Sequence, residues 1–374
     1  MSELQQILDL ADRAQQRGEE ICLVTVVGVE GSSYRKPGAR MLLTRSGMRA
    51  GTISGGCLEG EVSKKAWWLT ADGASVQRYT SFFDEDSGIP YGLGCGGTIL
   101  LLLERGEPAL ATIIALRRTE EQAESAAILI STAEKSAGTR LIVSAAGEVF
   151  YAADGIDSGL RATLDQLTRN TLASGTYTAA VPISAENTLP LYCERLAPPP
   201  ALWIFGAGDD AQPLVEFAHK LGWRVTVADG RSHLARPERF PLAQRVLTLT
   251  SETVIDLGPH DAAVLMTHSY EQDRALLGRL LPRPLAYLGI LGPRRRTLHI
   301  VEHLTDHTTG ALSMTAEQAM ARLHAPVGLP MQAHTPAAIA LSIAAEIHSV
   351  LAAHAEALHR LNRRTAAPAP AHAL

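Results

Sequence analysis

The sequence predicts an α/β protein, an N-terminal α+β domain followed by a C-terminal Rossmann-like parallel-sheet domain. Three observations lead there. After Pro198-Pro199-Pro200 the pattern turns to alternating strand and helix, with apolar strands expected at 201–205, 224–228, 245–249, 262–267 and 285–290. Such alternation suits right-handed parallel crossovers. The first of these strands runs into Gly206-Ala207-Gly208, and Ala211 stands at the third small position of a G-x-G-x-x-G/A turn. The prolines themselves supply no ladder hydrogen bonds and stiffen a connector. The expected division is therefore 1–197, then 198–355, then 356–374, a helix end and a tail, AAPAPAHAL, with no means of forming a core.

The 374 residues are 46% hydrophobic, enough for one large or two ordinary domains, each with its own core. A net charge of −5 gives no general attraction to nucleic acid or to anionic membranes. Any anion site must then come from local geometry. No stretch approaches the apolar length needed to span a bilayer, and the N-terminus, MSELQQILDLADRAQQRGEE, reads as a charged helix rather than a signal peptide. A cytoplasmic location is the expectation. Four cysteines (Cys22, Cys57, Cys95, Cys193) are too sparse for a disulfide framework, and no C-x-x-C or H-E-x-x-H pattern points to zinc.

In the first domain, apolar residues at helical spacing predict a helix over 3–17, and the β-branched run at 21–29 predicts a buried strand. A hairpin is expected from 41–44 and 48–53 around Ser46-Gly47. A helix at 58–69 and a strand at 98–103 follow. Short strands within 127–152 are interrupted at Gly138 and Gly147, ahead of a helix near 157–172 and strands near 176–183 and 190–196.

The glycine turn carries the first candidate site. Gly206 permits the tight turn and Gly208 lets backbone approach a phosphate at a helix start. Asp229 ends the second strand, 21 residues after Gly208, where a carboxylate can bind the hydroxyls of a ribose. NAD in this crevice is one reading. A crevice holding something else, or nothing, is the other, since fold does not fix function. Asp209 and Asp210 put negative charge beside the phosphate position, and helix capping is their simpler explanation. Further on, Gly292-Pro293-Arg294-Arg295-Arg296 could clamp an anion at a helix start, or form ion pairs and a solvated face. His268 closes the strand AVLMTHS, on the side where ligands sit in such sheets, although a lone histidine is more often structural.

The second candidate site is a pair of glycine-framed cysteines. Cys57 lies in Gly51-Thr52-Ile53-Ser54-Gly55-Gly56-Cys57, just ahead of a helix whose positive end lowers a thiol pKa. Cys95 lies in Gly92-Leu93-Gly94-Cys95-Gly96-Gly97. Glycines strip away bulk and free the backbone, so a thiol there can meet a ligand, and thiolates suit soft metals and sulfur exchange. Tight turns around small buried cysteines are the alternative. Cys22 and Cys193 sit in apolar strands, where packing explains them. The loop Gly31-Ser32-Ser33-Tyr34-Arg35-Lys36-Pro37-Gly38-Ala39-Arg40 adds hydroxyls and three cations, fit for an anionic ligand or for plain solvation. Asp84-Glu85-Asp86 reads as solvated surface.

These segments resemble the XdhC/CoxI family. EGSSYRKPGARMLL, GTISGGCLEGEV and YGLGCGGTILLLLE are similar to its N-terminal domain. LWIFGAGDDAQPLVEFAHKLGWRVTVAD, MTHSYEQD, YLGILGPRRR and LHAPVGLP are similar to its Rossmann domain. Departures stand at Ser33-Tyr34, where a serine-proline form is common, at Asp209, where histidine is common, and at Pro293, where relatives often carry serine. The resemblance implies a cofactor chaperone without turnover of its own. It would bind and protect the molybdenum cofactor, as molybdopterin or a dinucleotide form, support its sulfuration with a cysteine desulfurase, and insert it into an apo xanthine dehydrogenase-type molybdoenzyme. It also implies cofactor contacts at Cys57, Cys95, Gly55, Gly56, Gly94 and Gly96, with Cys95 nearest molybdenum or its sulfur. Gly206, Gly208 and Asp229 would hold a nucleotide-like moiety, and Arg294 and Arg295 would be further cofactor contacts. A homodimer is the expected assembly, and an NAD-dependent oxidoreductase is the competing function.

Overall fold

The computed structural model of the chain describes residues 2–56, 58–80, 97–153, 160–183, 187–306 and 312–365. It divides into two compact units, one built on Glu3–Pro198 and one on Pro199–Leu358.

The first unit runs α1 (Glu3–Gln16), β1 (Ile21–Glu30), β2 (Arg40–Thr44), β3 (Arg49–Gly51), α2 (Glu59–Leu69), β4 (Ser75–Thr80), β5 (Thr98–Arg105) and α3 (Gly106–Gln122). It continues with β6 (Ala126–Ser131), β7 (Arg140–Ser144), β8 (Val149–Ala152), α4 (Arg161–Ser174), β9 (Tyr177–Pro182) and β10 (Thr188–Leu196). The strands form two antiparallel five-stranded sheets, ordered β3-β2-β1-β5-β4 and β8-β7-β6-β10-β9. Leu8 and Ile113, from α1 and α3, share one core with Leu23 and Leu102 of the first sheet and Ile128 and Ile142 of the second. Helix α2 covers the other face of the first sheet through Val62 and Ala66. Helix α4 covers that of the second through Leu164.

Two buried ion pairs join the sheets. Arg40 of β2 donates to both oxygens of Glu194 on β10, at 2.9 and 2.5 Å. Arg140 of β7 pairs with Glu104 on β5, its Nη1 lying 3.1 Å from Oε1. Burial pushes the Glu104 carboxyl up, against the pull of Arg140. Burial also pulls Arg40 down, but Glu194 outweighs it and holds the guanidinium above its ordinary value. Cys22 and Cys193 are buried, and burial pushes both thiols up to about 12, as packed cysteines should behave.

The second unit runs β11 (Ala201–Phe205), α5 (Ala211–Lys220), β12 (Arg224–Asp229), β13 (Arg245–Thr248), β14 (Ala262–Leu265), α6 (Tyr270–Leu280), β15 (Tyr287–Ile290), α7 (Arg294–Thr305), α8 (Ala316–Ala321) and α9 (Pro336–Thr365). Its strands form one parallel sheet, ordered β13-β12-β11-β14-β15. Helices cover both faces: α5 and α9 pack on one through Leu214 and Ile343, and α6 and α7 on the other through Leu277 and Ile300. This is the doubly wound architecture expected from the alternating pattern. One expectation is corrected: Pro336–His354 is long and apolar enough, by length and composition, to cross a membrane. Alanines alternate there with Ile, Leu and Val, and Glu346 is the one carboxylate. Ala340, Ile343, Ala344 and Ile347 pack it onto the sheet.

Candidate functional site

In the Rossmann unit the strand order reverses between β12-β11 and β14-β15, and the ends of these strands frame a crevice. Gly206 has φ +125°, and a Cβ there would lie 2.3 Å from the Met266 carbonyl oxygen. Only glycine fits both demands. Asp229 is fully buried directly behind the loop. Its Oδ2 accepts from the Ala207 N–H at 2.7 Å and from Arg231 Nη2 at 2.7 Å. Its Oδ1 accepts from the Arg231 N–H at 2.8 Å and from Nε at 2.9 Å. Burial pushes this carboxyl up, but the Arg231 side chain and these backbone donors outweigh it and leave it below the usual carboxylate range. The expected ribose contact thus turns inward and ties the glycine loop to β12. A ribose diol would have to displace Arg231.

The aspartates of the turn also find partners inside the protein. Asp209 Oδ1 takes Arg239 Nη2 at 2.6 Å, and Arg239 Nη1 reaches the Ala207 carbonyl at 2.6 Å. Asp210 stands at the helix start without accepting a capping hydrogen bond, contrary to the capping expected for it. Instead its Oδ2 meets His268 Nε2 at 2.8 Å. Its Oδ1 lies 2.4 Å from where a Cβ on Gly208 would stand. A carboxylate therefore fills the space that the second glycine of such a turn leaves for a phosphate. His268 has φ +58°, a left-handed conformation uncommon for a residue with a side chain.

The arginine motif divides its work. Arg294 donates to the Ala325 carbonyl at 3.0 Å. Arg296 pairs at 2.7 Å with Asp273, whose other oxygen accepts the Thr267 hydroxyl at 2.7 Å. Arg295 is exposed. Of the three expected to clamp an anion, Arg296 is committed to a buried carboxylate and Arg294 is tied by one bond.

In the first unit the glycine loop ahead of α2 is shaped by Glu59, which is 2% exposed. Its Oε1 accepts the N–H groups of Ile53 and Ser54 at 3.1 and 2.8 Å, its Oε2 takes the Ser54 hydroxyl at 2.6 Å, and Ser54 Oγ accepts the Leu58 N–H at 3.0 Å. Burial raises the Glu59 carboxyl, but the hydrogen bonds from Ser54 outweigh it and leave it lowered. Gly55 and Gly56 are exposed. The Tyr34 ring, 73% exposed, rests over Gly55, with ring carbons 3.4–3.6 Å from where a Cβ would stand. Gly56 has φ +112°, and apart from its chain neighbours nothing lies within 4 Å of where a Cβ would stand. At Gly97 a Cβ would lie 2.0 Å from the Ser32 carbonyl oxygen. The Ser32–Tyr34 segment is thus flanked by Gly55 and by Gly97. Glu3 of α1 braces this region, taking the Thr52 N–H at 2.9 Å and pairing with Arg35. Cys57, Gly94, Cys95, Gly96 and the acidic run Asp84–Asp86 lie outside the described residues.

Sequence reasoning had not singled out Glu59, Arg231, Arg239 or Asp273. Glu59 had a readable signal, a serine ahead of a helix that opens on a glutamate, but at a wider spacing than the usual capping box. Among the described residues no group of three or more His, Cys, Asp or Glu could hold a metal ion.

Fold and loops define a two-part protein, an antiparallel α+β unit with an exposed glycine loop at Gly55–Gly56 joined in sequence to a Rossmann unit. The chain belongs to the XdhC and CoxI family. The family model described as the XdhC and CoxI family matches residues 14–80, and the one described as the XdhC Rossmann domain matches residues 202–347. The chain is 30% identical over 339 residues to a probable xanthine dehydrogenase subunit of Bacillus subtilis, covering 88% of this chain and 92% of that protein. It is 31% identical over 116 residues to the molybdenum cofactor insertion chaperone PaoD of Escherichia coli, covering 31% of this chain and 36% of that one. A crystal structure described as a xanthine dehydrogenase from Bacillus halodurans superposes with a TM-score of 0.73 at 25% identity, covering 94% of this chain and 96% of that one.

Proposed function

We propose that this protein is a chaperone for the molybdenum cofactor that matures a xanthine dehydrogenase-type molybdoenzyme. It takes up the cofactor, protects it, supports its sulfuration by a cysteine desulfurase, and passes it to the apo-enzyme. Family membership and the relatives named as an insertion chaperone and a xanthine dehydrogenase subunit support this role. The observation that carries it is the bare surface at Gly55 and Gly56 beside the exposed Tyr34 ring, with Gly97 against Ser32 of the same segment. A pterin dithiolene needs such close approach to backbone and a flat hydrophobic face. In this reading Cys57 and Cys95 supply thiols to the cargo, with Cys95 as the soft contact to molybdenum or its sulfur. Gly94 and Gly96 are read as cofactor contacts on either side of it in sequence. Gly206, Gly208 and Asp229 keep the Rossmann crevice in shape, and Arg294 and Arg295 are left to meet an anionic group of a ligand.

The NAD-dependent reading is weakened by the Asp210 carboxylate over Gly208 and by the engagement of Asp229. The test is molybdenum and pterin analysis of the full-length protein purified from a molybdate-supplied bacterium, with calorimetry against NAD. Bound pterin and no NAD titration are expected. Pterin-free protein that binds NAD and turns over a substrate would overturn the proposal.

A further inference from the structure

The outer face of the second sheet in the first unit carries a cavity of about 330 Å³, between α4 and the β7–β8 hairpin. That volume lies at the small end of small-molecule sites, roughly 300–1,000 Å³. Val143 and Val149 of the hairpin and Leu164 and Leu172 of α4 make apolar walls. Arg161, Asp165 and Arg169 follow one another at four-residue spacing along its α4 side, all exposed. Asp165 balances one of the two arginines, so this edge keeps a net positive charge.

Thr168 also lines the cavity. It is 7% exposed, and its hydroxyl has no hydrogen-bond partner. A buried helical threonine ordinarily donates back to the carbonyl four residues earlier. Thr171, one turn along the same helix, does so to Leu167 at 2.7 Å, as do Thr70, Thr119 and Thr305 elsewhere. The Thr168 hydroxyl makes no such bond to the Leu164 carbonyl. A buried hydroxyl without a partner is destabilising, so its presence beside a cavity is informative.

We propose that this cavity binds a small amphipathic carboxylate. The apolar body lies between α4 and the hairpin, the carboxylate pairs with Arg161 or Arg169, and the Thr168 hydroxyl turns about χ1 to donate to it. The proposal is independent of the reading of the glycine loops. It is tested on the full-length protein with octanoate as probe and n-octanol as its uncharged counterpart, by calorimetry and by methyl NMR. Octanoate is expected to bind saturably at one per chain, to shift the Val143 and Leu164 methyl signals, and to bind at least tenfold more tightly than octanol. Joint Arg161→Ala and Arg169→Ala substitution removes that preference. Val143→Trp fills the cavity and abolishes binding, while Thr168→Val weakens octanoate several-fold and raises the melting temperature of the free protein. Equal binding of octanoate and octanol, or full binding to a folded Val143→Trp protein, overturns the proposal. If Val143→Trp does not fold, unshifted Val143 and Leu164 methyls at octanoate saturation do the same.

Discussion

Around Gly206 and Gly208 each carboxylate has a side-chain partner: Asp229 with Arg231, Asp209 with Arg239, Asp210 with His268, and Asp273 with Arg296. Around Gly55 and Gly56, by contrast, the polar groups shape the loop from beneath, and the outer surface is exposed backbone and an exposed tyrosine ring. The first arrangement spends its polar groups on its own fold. The second leaves surface for a guest. A glycine fingerprint therefore specifies a strand–turn–helix shape, while the groups around it decide whether anything can enter.

That contrast can be broken in several places. The two sheets of the first unit need a rigid join, and the buried Arg140–Glu104 pair supplies one. Arg140→Ala strands a carboxylate in the core and is expected to destabilise the protein by about 3–5 kcal/mol, read from urea unfolding. Adding Glu104→Leu should restore most of the loss. In the crevice, Asp229→Ala leaves the Ala207 N–H and Arg231 unpaired and is expected to cost about 2–3 kcal/mol, with hydrogen exchange rising at Ala207.

Acid acts on both regions with one sign. Asp229 and Glu59 are held below the usual carboxylate range when folded. Their contribution is complete above the unfolded carboxylate pKa and is lost as pH falls through that range toward the lower folded values. The urea midpoint should therefore drop between neutral pH and about pH 3. In the Glu59→Gln protein, less unstable at low pH relative to the parent than at neutral pH, the drop should be shallower. The smallest stability effect is expected at Tyr34. Tyr34→Ala should change stability by less than about 0.5 kcal/mol yet weaken pterin binding roughly tenfold, the worth of one stacking contact. Unchanged pterin affinity would remove Tyr34 from the account.

The parallel sheet was legible because strands covered on both faces are continuous apolar runs, as in LWIF and AAVL. All five expected strands are present, with ends within about two residues. Helix α3 and strand β4 were not anticipated. The first ends in RRTEEQ and carries its apolar residues around much of its surface. The second, SVQRYT, is a mostly polar edge strand. The cross-sheet ion pairs were beyond sequence reading for a different reason: Arg40 and Glu194 are 154 residues apart, and nothing local links them. At the candidate sites, the turn at 206–211 was read from its glycine spacing, and the loop at 51–57 from the glycines that frame its cysteine. The inward turn of Asp229 was not, because it depends on Arg231, two residues on, folding back over it. The fate of Asp210 likewise depends on His268, brought to it by a separate strand.

The proposal that cargo belongs to the glycine-framed cysteine loops is tested most directly by molybdopterin content. Full-length Cys95→Ala and Asp229→Asn proteins would be purified side by side from molybdate-supplied cells and compared with the parent. Folded Cys95→Ala protein depleted of pterin, beside Asp229→Asn protein that keeps it, is the predicted result. Pterin retained in the first and lost from the second would contradict the account.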